Sequence, residues 1–279
     1  MEINSFSHLG IGQGFKTFVI AEIGINHNGE IETARQLIEK AHQSGANAVK
    51  FQTYITEKRV PKDSPIYGIL KQCEFGEKDF TQLQRIAGNL GVTFFSTPFD
   101  AESVALLEKL DAGLYKIASF DITHDELLEC VAATQKPVII SRGMANAEEV
   151  DAAIRIIEKH GSPYALLHCI SAYPTPPEQA NLNVIKTLRE RYECPVGYSD
   201  HTLGFRVPVL AVAAGAMIIE KHFTLSKTMA GPDHSLSADP RDMMEMVQSI
   251  REVEKILGDY ELKTYPAESG TLIYRRGKK

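Results

Sequence analysis

Short apolar segments alternate with amphipathic helical stretches along most of the chain. Eight segments are nearly continuous in apolar residues, which is typical of parallel strands that are covered on both faces. They span residues 18–24, 47–52, 92–98, 114–119, 137–141, 164–169, 195–200 and 216–222.

Between these segments, apolar residues recur at the spacing of a helix that buries one face, most clearly over residues 31–44, 101–110 and 147–159. Gly45 and Gly91 follow such runs, at the place where a helix commonly ends in a left-handed residue. Eight strands, each followed by a helix, predict a closed (β/α)8 TIM barrel. An open doubly wound sheet is the alternative, but it usually has fewer strands, and no glycine-rich nucleotide loop follows the first strand.

Two segments fall outside this alternation. Residues 53–76 form a long polar connection after the second strand, which makes them a candidate active-site loop. Residues 259–279 have little helical pattern and contain Pro266 and Gly270. We therefore expect residues 1–258 to form the barrel, with a short N-terminal extension, and residues 259–279 to form a linker-like tail.

Composition narrows the choice of partner and compartment. The formal net charge of -6 and the pI of about 5.9 argue against a nucleic acid or an acidic membrane surface as partner. The four cysteines form no CxxC pair, the N-terminal stretch lacks the apolar core of a secretion signal, and no apolar run reaches the ~18 residues of a membrane helix. We expect a cytoplasmic protein.

Polar side chains cluster at the carboxyl ends of the predicted strands, where the catalytic groups of α/β barrels lie. Every strand contributes at least one, which a barrel acting only as a scaffold would not need. The candidates in these positions are Glu22, Lys50, Gln52, Thr97, Lys116, Ser119, Ser141, Ser171, Tyr173, Ser199, His201, Glu220 and His222.

Lys50 and Lys116 each lie within an apolar strand segment, and a buried ammonium group needs an anion beside it. A core carboxylate such as Glu22 or Glu220 is one explanation. Two such lysines, with hydroxyl groups on neighbouring strand ends, favour instead a phosphate or carboxylate ligand.

His201 and His222 end adjacent strands, so their imidazoles are placed to converge on one cation. Imidazole suits Mn, Fe, Co and Zn better than Mg. Glu22, Glu220 and Asp233 are available as further ligands or supporting partners. The alternative is two separate histidines, each satisfied by the backbone.

Two loops allow two interpretations each. Residues 226–240, which include Asp233, are either a functional loop or an ordinary connection to a last helix, capped by Asp239 with Pro240 at its first position. Residues 173–177 are either a polyproline bend or a loop that presents Tyr173 to a sugar.

Eight motifs, in this order, resemble those of the sialic acid synthase family, and the similarity extends over roughly residues 15–258. The motifs are AEIGINHNG (21–29), KFQTY (50–54), FFSTPFD (94–100), YKIAS (115–119), HCISAYPTP (168–176), GYSDHTLG (197–204), EKHFTL (220–225) and GPDHS (231–235).

The resemblance implies a barrel that condenses phosphoenolpyruvate with an open-chain N-acyl hexosamine, such as N-acetylmannosamine or a 6-deoxy analogue. It implies that His201 and His222 bind a divalent metal, Mn²⁺ in the first place, with Mg²⁺ or Co²⁺ as alternatives. Catalytic roles fall to Glu22, Glu220 and Lys116. The implied ligands of phosphoenolpyruvate are Lys50, Thr97, Lys116, Ser119, Ser141 and Ser199. The residues implied to face the sugar and the metal-bound water are Glu22, Gln52, Tyr173, Glu220 and Asp233.

The chain departs from the family pattern in two places. Ser171, which we expect to bind substrate, stands where sialic acid synthases often have Asn. In this respect the chain is more similar to the legionaminate, pseudaminate and spore-coat relatives, which leaves the acceptor sugar open. The family also carries a C-terminal antifreeze-like domain after an Arg-Arg linker, whereas this sequence stops just past Arg275 and Arg276. We therefore expect that domain to be absent, the protein to be a homodimer, and a separate chain to be one possible source of the domain.

Two other functions stay open from the sequence. One is another phosphoenolpyruvate-dependent synthase, making a 3-deoxy-octulosonate or heptulosonate, although the sequence shows no second basic pocket for a phosphorylated sugar. The other is a non-catalytic barrel.

Overall fold

Eight parallel strands close into a barrel in the computed structural model, which describes residues 3–277. Strand β1 pairs with both β2 and β8, so the sheet has no free edge. The strands are β1 (Phe18–Gly24), β2 (Ala48–Thr53), β3 (Thr93–Pro98), β4 (Tyr115–Ile117), β5 (Val138–Ser141), β6 (Tyr164–Cys169), β7 (Val196–Asp200) and β8 (Ile218–His222). The predicted (β/α)8 TIM barrel is confirmed.

Helices connect successive strands and cover the outside of the barrel. They are α1 (Ile31–Gln43), α2 (Thr56–Arg59), α3 (Tyr67–Gln72), α4 (Glu77–Asn89), α5 (Ala101–Lys109), α6 (Asp125–Ala132), α7 (Ala147–Lys159), α8 (Asn183–Tyr192), α9 (Arg206–Ala213) and α10 (Pro240–Leu257). Gly45 and Gly91 have φ angles of +86° and +70°, as expected of residues that end a helix. Asp239 caps α10 by accepting hydrogen bonds from the backbone N–H groups of Arg241 and Asp242. None of the described helices is both long and apolar enough to cross a membrane.

Side-chain alternation along each strand separates two layers. In β1, Val19, Ala21 and Ile23 pack outward against the helices, whereas Phe18 and Ile20 belong to a second apolar cluster inside the barrel. The inner cluster also includes Ala48, Phe95, Leu114, Ile139, Ala165, Leu167 and Ile218. Because these residues lie towards the amino ends of their strands, the next inward-facing positions towards the carboxyl ends are free to carry polar groups.

The N-terminal extension completes the inner cluster. A 3-10 helix at Ile3–Leu9 precedes β1, and Phe6 and Ile11 are buried against the inward-facing residues. The extension therefore packs on the end of the barrel opposite the polar strand ends.

The segment 53–76 is more ordered than the sequence indicated. It contains helices α2 and α3 and has a small core of its own, in which Tyr54, Leu70 and Cys73 pack with Ile25. The Tyr54 hydroxyl donates to the Leu70 carbonyl at 2.9 Å. The predicted connection after β2 is present and lines a cavity, but its two short helices were not predicted, because its scattered apolar residues have no periodic pattern.

The last stretch, residues 259–277, is exposed and contains two short 3-10 helices, Pro266–Glu268 and Leu272–Tyr274. Residues 1, 2, 278 and 279, which the predicted barrel and tail include, lie outside the described residues.

Candidate active site

A cavity of about 260 Å³ opens at the carboxyl ends of the strands. All predicted site residues except Ser171 line it. They are Glu22, Lys50, Gln52, Thr97, Lys116, Ser119, Ser141, Tyr173, Ser199, His201, Glu220, His222 and Asp233.

Alternation decides which polar residues at the strand ends reach this cavity. Lys50 and Gln52 lie two residues apart and both face inward. Lys221 lies between Glu220 and His222 and points to the other side of the sheet, where its Nζ is 2.6 Å from Asp200 Oδ2. This ion pair is buried behind the barrel wall and does not contribute to the cavity.

Lys50 is paired with carboxylates of the barrel itself. Its Nζ lies 2.7 Å from Glu22 Oε2 and 3.8 Å from Glu220 Oε2, and it donates to Thr97 Oγ1 at 2.9 Å. Burial alone would lower the pKa of Lys50, but the two carboxylates raise it above the usual value. Lys50 is therefore charged, and its charge is already balanced by Glu22.

Lys116 lacks a close carboxylate partner. Its Nζ donates to Ser141 Oγ at 2.6 Å and to the Ile117 carbonyl at 2.9 Å, while the carboxylate oxygen nearest to it, Glu220 Oε1, is 3.9 Å away. Burial lowers the pKa of this lysine in spite of Glu220. A buried ammonium group with a hydroxyl beside it, facing a cavity, fits an anionic ligand.

The pKa values of Glu22 and Glu220 are shifted in opposite directions. Burial raises the pKa of Glu22, and the charge of Glu220 reinforces that shift. Burial also acts on Glu220, but Lys116 and Lys50 outweigh it and lower its pKa to about 2. Glu220 Oε2 is buried without a hydrogen-bond partner, so it has an acceptor position available to a ligand, whereas Glu22 Oε2 is 2.7 Å from Lys50 Nζ.

The two histidines lie side by side, with ring centroids 5.4 Å apart. His201 Nδ1 is 2.9 Å from the Ile170 carbonyl, which can only accept, so this nitrogen carries a proton. Burial opposes a second proton on this ring, but the neighbouring Cys169 raises the pKa of His201 above its usual value. Burial lowers the pKa of His222 to about 4, and its Nδ1 is buried without a hydrogen-bond partner, 3.7 Å from Asp233 Oδ2.

These two imidazoles fit a divalent cation such as Mn²⁺, which binds the unprotonated ring nitrogen and would displace any second proton from His201. Residues 3–277 contain no cluster of three or more His, Cys, Asp or Glu side chains arranged to hold a metal. His201 and His222 are the residues that would hold such a cation, with Asp233 beside His222.

Ser171 is the one predicted residue that does not line the cavity. Its Oγ lies behind Gly143, beside Ser119, and is buried without a hydrogen-bond partner. The Gly143 N–H donates to Ser119 Oγ at 3.0 Å. Ser171 is thus close enough to affect a residue that lines the cavity, and the prediction of direct substrate contact has no support from this geometry.

Comparison with known proteins assigns this constellation to a family. The model of the NeuB family matches residues 37–262, which is most of the chain. The chain belongs to the NeuB family. The predicted resemblance to sialic acid synthases is thereby confirmed.

Several NeuB relatives show what kind of enzyme shares this barrel. N,N'-diacetyllegionaminic acid synthase of Legionella pneumophila is 42% identical over 90% of this chain and 76% of its own length. An uncharacterized protein of Methanocaldococcus jannaschii is 49% identical over 95% of this chain and 79% of its own. The relatives of known activity are synthases of sialic-acid-type sugars, which supports a synthase here too.

A solved NeuB-type structure matches the fold closely. The N-acetylneuraminic acid synthetase of Leptospira borgpetersenii, crystallised in complex with citrate, superimposes with a TM-score of 0.91 at 41% identity. The match covers 95% of this chain and 93% of the other.

Arg59 also lines the cavity, although it was not predicted from the sequence as a site residue. It ends α2 in the polar segment 53–76, where no pattern distinguishes it from Lys58 or Lys62, which stand near it in the sequence. Its Nη1 donates to Gln52 Oε1 at 2.9 Å, and Gln52 Nε2 donates in turn to Glu22 Oε1 at 3.2 Å. Arg59 therefore belongs to the hydrogen-bonded wall of the site.

Proposed function

We propose that this chain is a synthase that condenses phosphoenolpyruvate with an N-acyl hexosamine, forming a nine-carbon sialic-acid-type sugar and releasing phosphate. The observation that carries the proposal is the environment of Lys116. This buried cation has a hydroxyl partner but only a distant carboxylate, and it faces the cavity. An anion with phosphate or carboxylate oxygens satisfies it better than water does.

The deep part of the cavity suits phosphoenolpyruvate. Lys116 and Lys50 supply positive charge, and hydroxyl groups on neighbouring strand ends supply further donors. These hydroxyls belong to Thr97, Ser119, Ser141 and Ser199. Pre-oriented donors of this kind also stabilise the charge on phosphate as it departs.

The two imidazoles of His201 and His222 would hold a divalent cation, with Mn²⁺ as the first choice. When bound, such a cation supplies Lewis-acid polarisation of the sugar aldehyde. Asp233, next to His222, is placed to orient the sugar at that position.

The proposed reaction forms one C–C bond and breaks the C–O bond to phosphate. The C3 carbon of phosphoenolpyruvate attacks the aldehyde carbon, forming the C–C bond, and the aldehyde oxygen gains a proton. Water adds to C2, where positive character develops, and the C–O bond to the phosphate group breaks. One proton of the attacking water passes through Glu220, held ionised by the two lysines, and Glu22, whose pKa is raised, to the aldehyde oxygen. The second proton leaves the C2 hydroxyl with the departing phosphate as the ketone forms.

A phosphate-release assay tests the proposal. The purified chain, phosphoenolpyruvate and Mn²⁺ are incubated with N-acetylmannosamine, its 6-phosphate and 2,4-diacetamido-2,4,6-trideoxymannose in turn. Release that depends on an N-acyl sugar, stops with a chelator and returns with Mn²⁺ is the expected result. Phosphate release with erythrose 4-phosphate or arabinose 5-phosphate, but with none of the N-acyl sugars, would contradict this proposal and indicate a 3-deoxy-sugar phosphate synthase.

A further inference from the structure

Arg59 is held in a fixed orientation at the wall of the cavity. Its guanidinium carbon lies 3.7 Å from the ring centroid of Phe99 and 4.7 Å from that of Tyr54. The hydrogen bond to Gln52 fixes one edge of the guanidinium. Stacking on two aromatic faces and one directional bond limit the positions that this side chain can adopt.

Among the described residues, Arg59 has no close ion-pair partner, and the carboxylates of Asp121, Asp233 and Glu22 act on it only from a longer distance. No carboxylate oxygen of residues 3–277 lies within 4.0 Å of the guanidinium, and the bond to Gln52 is the one hydrogen bond it makes there. A guanidinium carries five N–H donors. Arg59 is half-buried and lines the cavity, so its unused donors are available to a ligand.

The surroundings of these donors are apolar. Ile66, Ile69 and Leu70 from the same segment line the same cavity, and Ile66 and Ile69 are 47% and 41% exposed. Lys50 and Lys116, which also line the cavity, lie on strands β2 and β4 and are only 4% and 2% exposed, so they are more deeply buried than Arg59. A phosphate dianion needs several donors and cations, whereas one planar donor beside an apolar wall matches an amide carbonyl with a methyl group attached.

We propose that Arg59 is a specificity residue that donates to the carbonyl oxygen of an N-acyl group on the acceptor sugar, while the methyl of that group packs against Ile66 and Ile69. The inference rests on the proposed function and adds the recognition element for the acyl group. The chain thereby supplies this contact from its own segment between β2 and α4. Gln52, bonded to both Arg59 and Glu22, ties this contact to the catalytic carboxylates.

The test compares sugars that differ only at the acyl group. Values of kcat/KM are measured for N-acetylmannosamine and for mannose, which has a hydroxyl in its place, with wild type, Arg59→Met and Arg59→Lys. Arg59→Met is expected to lower kcat/KM about tenfold or more for N-acetylmannosamine and much less for mannose, since a charge-assisted bond is lost only with the former. Arg59→Lys, which keeps the charge but loses the planar fork, should fall between. The KM for phosphoenolpyruvate should stay constant.

Lys58→Met is the matched control, because Lys58 is the exposed neighbour that pairs with Glu102 outside the cavity. Lys58→Met should change neither the ratio of the kcat/KM values for the two sugars nor the KM for phosphoenolpyruvate. An equal loss for both sugars in Arg59→Met would overturn the inference, as would a wild-type preference for N-acetylmannosamine 6-phosphate that Arg59→Met removes.

A binding measurement separates this inference from the proposed function. Saturation-transfer NMR reports contact between the protein and the acetyl methyl of N-acetylmannosamine without any turnover. Wild type should show transfer to that methyl, and Arg59→Met should weaken it. If wild type turns over no sugar but transfers more saturation to the acetyl methyl than Arg59→Met does, the proposed reaction is wrong and the proposed recognition of the acyl group is supported. Equal transfer in the two proteins would contradict the proposed recognition.

Discussion

Two lysines line the same cavity, yet their charges are balanced in different ways. Lys50 lies 2.7 Å from Glu22, whereas the nearest carboxylate to Lys116 is 3.9 Å away. The sequence suggested two explanations for a buried lysine, a core ion pair or an anionic ligand. The structure pairs Lys50 within the barrel and leaves Lys116 as the better candidate for a ligand.

This difference predicts different behaviour on substitution. Lys50→Met should lower the free energy of unfolding by about 3 kcal/mol, because Glu22 is left as a buried, unpaired carboxylate. Lys116→Met should reduce stability less but weaken phosphoenolpyruvate binding tenfold or more, by the loss of a charge-assisted bond. Urea unfolding and calorimetry measure the two effects. A Lys50→Met/Glu22→Gln double variant should recover part of the lost stability; no recovery would argue against the pairing.

Gly143 provides a second residue-scale prediction. A Cβ atom built there would lie 2.4 Å from Ser171 Oγ and 2.6 Å from Ser119 Oγ, so Gly143→Ala must displace one of the two hydroxyls. We expect phosphoenolpyruvate affinity to fall by about tenfold as Ser119 moves. Gly113→Ala is the control, since nothing lies within 4 Å of its added Cβ. Equal affinities in the two variants, measured by calorimetry, would show that Ser119 does not bind the anion.

At the scale of elements, the strands were predictable and the segment between β2 and α4 was not. Continuous apolar runs identified all eight strands, and period-two alternation explains why Lys50 and Glu220 face the cavity while Lys221 does not. The segment 53–76 has neither the two-residue period of a strand nor the 3.6-residue period of a helix. Its helices α2 and α3 depend on tertiary contacts, such as that from Tyr54 to Leu70, which no local pattern encodes.

Asp100 joins this segment to the barrel and can be tested. Its Oδ1 accepts from the Ser103 N–H at the start of α5, and its Oδ2 accepts from the Ile55 N–H at 2.9 Å. Asp100→Ala should reduce stability by about 1–2 kcal/mol and release the segment. Asp100→Ser keeps a cap for α5 and should lose less stability. Hydrogen exchange is the measurement, and unchanged protection of residues 54–72 in Asp100→Ala would contradict the anchoring role.

Across the part of the molecule that the structure describes, protonation is disfavoured at four buried histidines, His27, His168, His222 and His234. Burial lowers the pKa of His27 to about 3 and those of His168 and His222 to about 4, from an ordinary value of 6.5. His27 stacks on Phe75 at 4.1 Å, and His168 Nε2 lies 2.8 Å from the Ala180 carbonyl. Each of these side chains is neutral in the folded protein above its lowered pKa.

The sign of the resulting pH dependence follows from proton counts. Between pH 6.5 and about 4 the unfolded chain binds more protons at these sites than the folded one, so stability falls as the pH falls. Each of His27, His168 and His222 should lower the free energy of unfolding by about 2 kcal/mol between pH 7 and pH 5. Urea midpoints at several pH values measure this, and His27→Phe should flatten the curve. His42→Gln, at an exposed site, is the control; a His27→Phe curve as steep as that of wild type would disprove the assignment.

The apolar cluster beneath the site, completed by Phe6 and Ile11, makes the cavity a blind-ended well. Under the proposed function, the ligand of Lys116 sits at the bottom and the sugar sits between it and the mouth that Arg59 lines. Two molecules that enter a cavity through one opening must bind one after the other when one of them lies deeper. If the proposed function holds, we expect phosphoenolpyruvate to bind before the sugar and the nine-carbon product to leave before phosphate. The closed floor of the cavity would then impose an order on binding and release.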